Sequence, residues 1–271
     1  MNSNFISRAI TGTGLVAVML ACIFFSVYSF MLFFLALLIV CLYEFYKIFE
    51  NSNKKPQVIS GIVLGVLIFI INYFLASGYT KPQLIFSLIP VVLYIVVAEL
   101  FRKHPAPFEN IAITVFGIVY IALPITMLWN LGFRDNIYQF NPHLILGFFF
   151  IIWTYDSMAY IVGMTLGRHR MFERISPKKS WEGAIGGFIF SIVVAYIISI
   201  FYNELSAPQW CIYASLIAIF GTFGDLAESM LKRSLDIKDS SSILPGHGGF
   251  LDRFDSLFLA VPAVYLYLQF I

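Results

Sequence analysis

The residues best suited to chemistry lie in two short polar stretches of an otherwise apolar chain. The first is Phe223-Gly224-Asp225-Leu226-Ala227-Glu228-Ser229, in which Asp225 and Glu228 are three apart and share a helix face. The second is Asp252-Arg253-Phe254-Asp255, again two carboxylates at i and i+3. Each pair stands at the end of an apolar run, so the four acids are predicted at one membrane level. Acids there are costly and usually face a wet cavity or a partner. Clustered carboxylates hold protons unless a cation neutralises them. A hard divalent ion such as Mg²⁺, bound by one or two carboxylates and by substrate phosphates, suits such a cluster. The plainer reading is interfacial pairing with Lys232, Arg233 and Arg253.

Between the pairs runs Lys232-Arg233-Ser234-Leu235-Asp236-Ile237-Lys238-Asp239-Ser240-Ser241-Ser242-Ile243-Leu244-Pro245-Gly246-His247-Gly248-Gly249. Glycines such as Gly248 and Gly249 let backbone N–H groups approach an anion, and Lys and Arg supply charge to phosphate oxygens. The start of the following helix adds its positive dipole end. His247 suits either a phosphate donor or an acid–base group, or plain capping. Upstream, Asp156 lies about two turns inside an apolar run and is expected to be buried. It precedes a basic, glycine-bearing loop: Gly167-Arg168, then Ser176-Pro177-Lys178-Lys179-Ser180-Trp181-Glu182-Gly183. These residues suit phosphate and metal binding; for Lys178 and Lys179 the plainer role is topology or lipid headgroups. Glu44 and Glu99 are explained by snorkelling or by pairing with Lys47 and Arg102, and are placed outside the site.

The elements that must position these groups are membrane helices. Of 271 residues, 60% are hydrophobic and 12% charged, against about 25% charged in a soluble domain; the mean hydropathy is +0.86. The net charge of +2 gives no reason to expect a nucleic-acid partner. Cys22, Cys41 and Cys211 sit in apolar runs without metal or redox spacing. Apolar runs near 11–28, 30–48, 57–76, 82–100, 107–132, 142–164, 183–203, 207–230 and 250–271 predict an all-α integral membrane protein of about nine transmembrane helices. The first run lacks a small-residue cleavage site and reads as a retained span. Pro124 predicts a kink in the fifth. The chain reads as one polytopic membrane domain, with N-terminal helices over 1–140 and catalytic helices and loops over 141–271.

A cytoplasmic N-terminus places fifteen basic residues on the cytoplasmic side and only Lys81 and Arg134 on the other, which accounts for all 17. The C-terminus is then outside. The long loops near 165–182 and 231–249 fall on the cytoplasmic face.

The stretch from Ser229 to Asp255 resembles the signature of phosphatidate cytidylyltransferases, also called CDP-diacylglycerol synthases. That pattern is S-x-x-K-R-x₄-K-D, a short polar spacer, then P-x-H-G-G-x-x-D-R-x-D. Ser229, Lys232, Arg233, Lys238, Asp239, Pro245, His247, Gly248, Gly249, Asp252, Arg253 and Asp255 stand at its positions. The Asp156…Ala159-Tyr160…Gly163…Gly167 and Ser-Pro-Lys-Lys-x-x-Glu-Gly elements are similar too, with Ser180 where threonine is commoner. The resemblance implies transfer of the cytidylyl group of CTP to phosphatidate, giving CDP-diacylglycerol and pyrophosphate, with Mg²⁺, in a homodimer; a chain that reads as one membrane domain suits a bacterial inner membrane. The resemblance also implies Asp225 and Asp252 as metal ligands, with Asp156 and Asp255 as further ligands or as partners of the ligands. Ser176, Lys178, Lys179, Lys232, Arg233, Lys238, Gly248, Gly249 and Arg253 would hold phosphates, and His247 would position one. A different class remains open at this point: an ion-coupled transporter using the intramembrane acids. So does a cytidylyl acceptor other than phosphatidate, another lipid phosphate or a polyprenol.

Overall fold

The computed structural model describes residues 3–49, 52–134, 138–241, 243, 244 and 248–271, with side chains from residue 12 onward. The chain divides into two compact units. One comprises 1–140 and 235–254, the other 141–234 and 255–271.

The first unit holds α1 (Ser3–Phe25), α2 (Val27–Lys47), α3 (Val58–Ala76), α4 (Ile89–Arg102, entered through a 3₁₀ run, Pro82–Leu88), α5 (Pro107–Gly117) and α6 (Leu123–Gly132). The expected first two spans meet at residue 29, but the break falls at Ser26. Ser26 and Ser29 exchange hydrogen bonds in a capping box that starts α2. The predicted kink at Pro124 takes the form of a π-helical turn, Ile118–Ala122, joining α5 to α6. Proline has no N–H to offer the carbonyl four residues back, and a wider turn absorbs the misfit.

At one end of this unit Trp129 sits fully buried among Phe30, Phe69 and Tyr73, whose ring centres lie 4.9, 5.4 and 4.9 Å away. At the other end the Tyr46 hydroxyl donates to the Thr114 carbonyl at 2.8 Å. Glu99 is held there by Arg102 (2.8 Å), Gln57 (2.8 Å) and Asn110 (2.7 Å). The expected pairing of Glu99 with Arg102 is present.

The second unit holds α7 (His143–Leu166), a hairpin of β1 (Arg170–Phe172) and β2 (Ser176–Ser180), α8 (Trp181–Phe201), α9 (Ala207–Ser234) and most of α10 (Leu251–Gln269). Small residues let its helix backbones meet. A Cβ on Gly183 would lie 2.6 Å from the Ala159 carbonyl, and one on Gly187 would lie 2.8 Å from that of Tyr155. Between α9 and α10 the contact is equally close: a Cβ on Gly224 would stand 2.6 Å from the Asp255 carbonyl and 3.1 Å from Ser256 Cα. Both obstacles are backbone. Gly224→Ala should therefore lower thermal stability in detergent, at a cost of about 1–3 kcal/mol, and lower activity with it. Gly14→Ala, where nothing lies within 4 Å, is the control and should leave both unchanged.

Seven helical runs among the described residues are long and apolar enough to cross a membrane: Val27–Lys47, Val58–Ala76, Pro82–Arg102, Pro107–Gly132, His143–Leu166, Trp181–Phe201 and Ala207–Ser234. The apolar part of α1, Gly12–Phe25, is shorter, and α10 carries three charges in its first five residues.

Candidate active site

The loop expected over 165–182 is largely ordered structure. β1 and β2 pair antiparallel, Arg170 opposite Ser180 and Phe172 opposite Ser176. Ser180 Oγ accepts the Gly183 N–H at 3.2 Å and so caps α8. Side chains at Gly163 and Gly167 would crowd that hydroxyl. The Glu182 carboxylate accepts the backbone N–H groups of Arg168 and His169 and contacts His169 Nδ1 at 2.6 Å. The Arg170 guanidinium donates to the Lys178 carbonyl. This scaffold leaves Lys178 exposed and Ser176 half-buried. Lys179 points back to α9, where its Nζ lies 2.7 Å from Asp225 Oδ2.

On α9, Ser229 Oγ donates to Asp225 Oδ1 at 3.3 Å. Glu228 is fully buried, with Lys232 Nζ 2.6 Å from its carboxylate one turn on. Asp255 completes the group from α10. The charges acting on it are those of Asp225, Glu228 and Asp156, with Lys179 opposing. Four acids against Lys179 and Lys232 leave a formal surplus of two negative charges. Asp156, expected to be buried, is exposed on α7: its helix face is open at that level even though ten residues separate it from the helix end. Arg233 is exposed at the end of α9.

In the first unit Asp252 organises the signature loop. Its Oδ2 accepts the Ser240 N–H (3.0 Å), the Ser240 hydroxyl (3.0 Å) and the Gly249 N–H (2.8 Å). Gly248 has φ +80°, a left-handed conformation that favours glycine; a Cβ there would also lie 2.7 Å from Asp252 Oδ2. Lys238 and Arg253 are exposed. Pro245 and His247 lie outside the described residues. The i, i+3 pair on α10 is thus divided in its duties: Asp252 serves the loop, and Asp255 joins the acids of α9.

The site also contains a residue that sequence reasoning set aside. Glu44 neither snorkels nor pairs with Lys47, whose ammonium bonds the Tyr43 hydroxyl instead. Glu44 is 1% exposed. It accepts from the Ser241 hydroxyl (2.5 Å), the Phe250 N–H (3.1 Å) and the Leu251 N–H (2.8 Å), with Ser240 Oγ at 3.4 Å. The N-terminus of α10, which the sequence offers to a phosphate, holds this carboxylate. The one signal available in sequence was an acid three residues before a lysine near a helix end, and a surface ion pair reads the same way.

The donor chemistry fits a divalent cation. Asp225 offers carboxylate oxygens within the second unit's cluster of surplus negative charge, and Asp252 offers carboxylate oxygens in the first unit. Among the described residues no three His, Cys, Asp or Glu side chains form a ready-made metal cage.

Residues 6–271 match the model of the cytidylyltransferase family. The chain belongs to the cytidylyltransferase family. It is 35% identical over 202 residues to the phosphatidate cytidylyltransferase of Bacillus subtilis, covering 73% of this chain and 71% of that protein. To the phosphatidate cytidylyltransferase of Rickettsia bellii it is 34% identical over 223 residues, 80% of this chain and 91% of that one. To that of Haemophilus influenzae it is 42% identical over 141 residues, 49% of each chain. Membership of a cytidylyltransferase family makes this chain a nucleotidyltransferase and sets the transporter reading aside. The acid near the far end of the second unit has a structural role in keeping with that. Burial works against ionisation of Glu204, but hydrogen bonds from Asn141 and His143 outweigh it and hold its carboxyl below the usual range.

Proposed function

We propose that this protein joins CTP to phosphatidate, releasing pyrophosphate and forming CDP-diacylglycerol for phospholipid synthesis. The observation that carries the reading is that one chain holds two features. One is an acid cluster crossed by Lys179 and Lys232; the other is the complete signature, whose loop Asp252 organises.

The chemistry needs no activated side-chain nucleophile. A phosphatidate oxygen, already anionic at neutral pH, attacks the α-phosphorus of CTP. A new P–O bond forms, the α–β phosphoanhydride bond breaks, and its electron pair leaves with pyrophosphate. The difficulty is bringing two polyanions together and stabilising the charge that builds on the α-phosphate and the leaving group. Lys178, Lys179, Lys232, Arg233, Lys238 and Arg253 supply positive charge to the phosphates. Ser176, Gly248 and Gly249 would each contribute to phosphate binding, and His247 would position a phosphate. Asp225 and Asp252 would hold Mg²⁺, with Asp156 and Asp255 as further ligands or partners. When bound, the ion screens the phosphate oxygens and polarises the α-phosphorus. Orientation contributes much of the remaining rate.

One substrate lies in the bilayer and the other in the cytosol, so we place the site at the cytoplasmic boundary of a bacterial inner membrane. The orientation rests on the charge bias, and the first unit supports it. The polar ends of α2, α4 and α5 gather with Lys47, Lys54, Lys55 and Arg102, while the aromatic cluster around Trp129 occupies the opposite end. We read the chain as one polytopic membrane domain of nine spans, working as a homodimer. Purified protein given CTP and Mg²⁺ should release pyrophosphate only when phosphatidate is present. Competition by other lipid phosphates or a polyprenol phosphate should be weak; preferred use of one of those would overturn the choice of acceptor.

A further inference from the structure

We infer that Glu44 is a positioning residue for the signature loop, fixing the backbone on which Asp252 is carried; its catalytic meaning rests on the function proposed above. Glu44 lies almost 200 residues before the loop, on α2, yet its carboxylate receives the N–H groups of Phe250 and Leu251 and the hydroxyl of Ser241. Each is a charge-assisted hydrogen bond, about twice as strong as a neutral one. All of these donors lie within eleven residues of Asp252.

The two carboxylates hold neighbouring groups of the same loop. Ser240 gives its N–H and its hydroxyl to Asp252, and that hydroxyl also lies 3.4 Å from Glu44. Gly249 gives its N–H to Asp252, and the next two N–H groups go to Glu44. Space confirms the fit. A Cβ on Gly249 would lie 2.5 Å from Glu44 Oε2. It would also meet Ser240 Oγ, so glycine at this position matches the closeness of both side chains.

A carboxylate at a helix N-terminus also meets the positive end of its dipole. Glu44 satisfies two N–H groups at the start of α10 that would otherwise point into a buried region. Its removal would free the start of α10, and with it the rotamer of Asp252. Partners that orient a ligand commonly contribute roughly 10–100-fold to metal affinity or activity.

The test uses the purified full-length protein in three forms: wild type, Glu44→Gln and Glu44→Ala. Glu44→Gln keeps one acceptor oxygen and guards against simple misfolding. Leu38→Ala, a buried core change on the same helix, reports plain destabilisation. Hydrogen–deuterium exchange of peptides spanning 240–255 is measured alongside the Mg²⁺ dependence of turnover. In Glu44→Ala, exchange of the 249–251 amides should quicken at least tenfold, and the Mg²⁺ concentration for half-maximal rate should rise by about 10-fold or more. Glu44→Gln should fall between, and Leu38→Ala should move neither at a temperature where it is folded. Unchanged loop exchange and unchanged Mg²⁺ dependence in both Glu44 variants would overturn the inference. A wild type that makes no CDP-diacylglycerol would instead overturn the function, while the exchange data would still decide whether Glu44 anchors the loop.

Discussion

Asp252→Asn should abolish most of the cytidylyltransferase activity, by about 10²–10³-fold or more in kcat, while leaving the protein folded. The geometry makes this a test of charge. Asp252 Oδ2 accepts three hydrogen bonds from Ser240 and Gly249, and the amide oxygen of asparagine can accept the same three. The loop therefore keeps its fold and loses one negative charge together with one of the oxygens proposed to bind the metal. Loop exchange rates should stay near wild type as the rate falls, and raising Mg²⁺ should recover only part of it. Asp252→Asn with a wild-type rate and wild-type Mg²⁺ dependence would remove Asp252 from the site.

The second large effect concerns Lys179 and Asp225, 2.7 Å apart. Asp225→Asn should cost about 10²–10³-fold in rate, and Lys179→Met a comparable factor. Side chains a third exposed contribute little stability as an ion pair, so neither change should lower the melting temperature much. The double variant decides between two roles. If the lysine only balances the aspartate, removing both should restore turnover. If each serves the phosphates, the double variant should stay as inactive as the poorer single one, because residues that act as a unit are strongly non-additive. The second outcome is expected. Steady-state rates with saturating CTP and phosphatidate, alongside thermal unfolding in detergent, separate them.

Much of this site is legible in sequence because its parts are local. Asp225 with Glu228 and Asp252 with Asp255 are spaced for one helix face, and the stretch from Ser229 to Asp255 carries twelve matched signature positions. Apolar runs of membrane length place most helices to within a few residues. What escaped depends on distant partners or on short structure. The β1–β2 hairpin has no apolar alternation to betray it; a Pro-Lys-Lys run reads as a loop, and its order comes from Glu182 and Ser180. Glu44 had an adequate local explanation in Lys47, so nothing pointed to Phe250 and Leu251. The exposure of Asp156 depends on where neighbouring helices leave α7 open. The division of labour between Asp252 and Asp255 depends on which backbone N–H groups reach each carboxylate.

The central claim is that the α-phosphorus of CTP ends on a lipid phosphate. Purified protein in phosphatidate-containing micelles with Mg²⁺ can be given CTP labelled at either the α- or the γ-phosphate. Organic-soluble label is expected from α-labelled CTP only, in a product that comigrates with CDP-diacylglycerol and requires phosphatidate, with γ label recovered entirely as pyrophosphate. Lipid product that carries the γ label, or no lipid-bound label from either CTP, would contradict it.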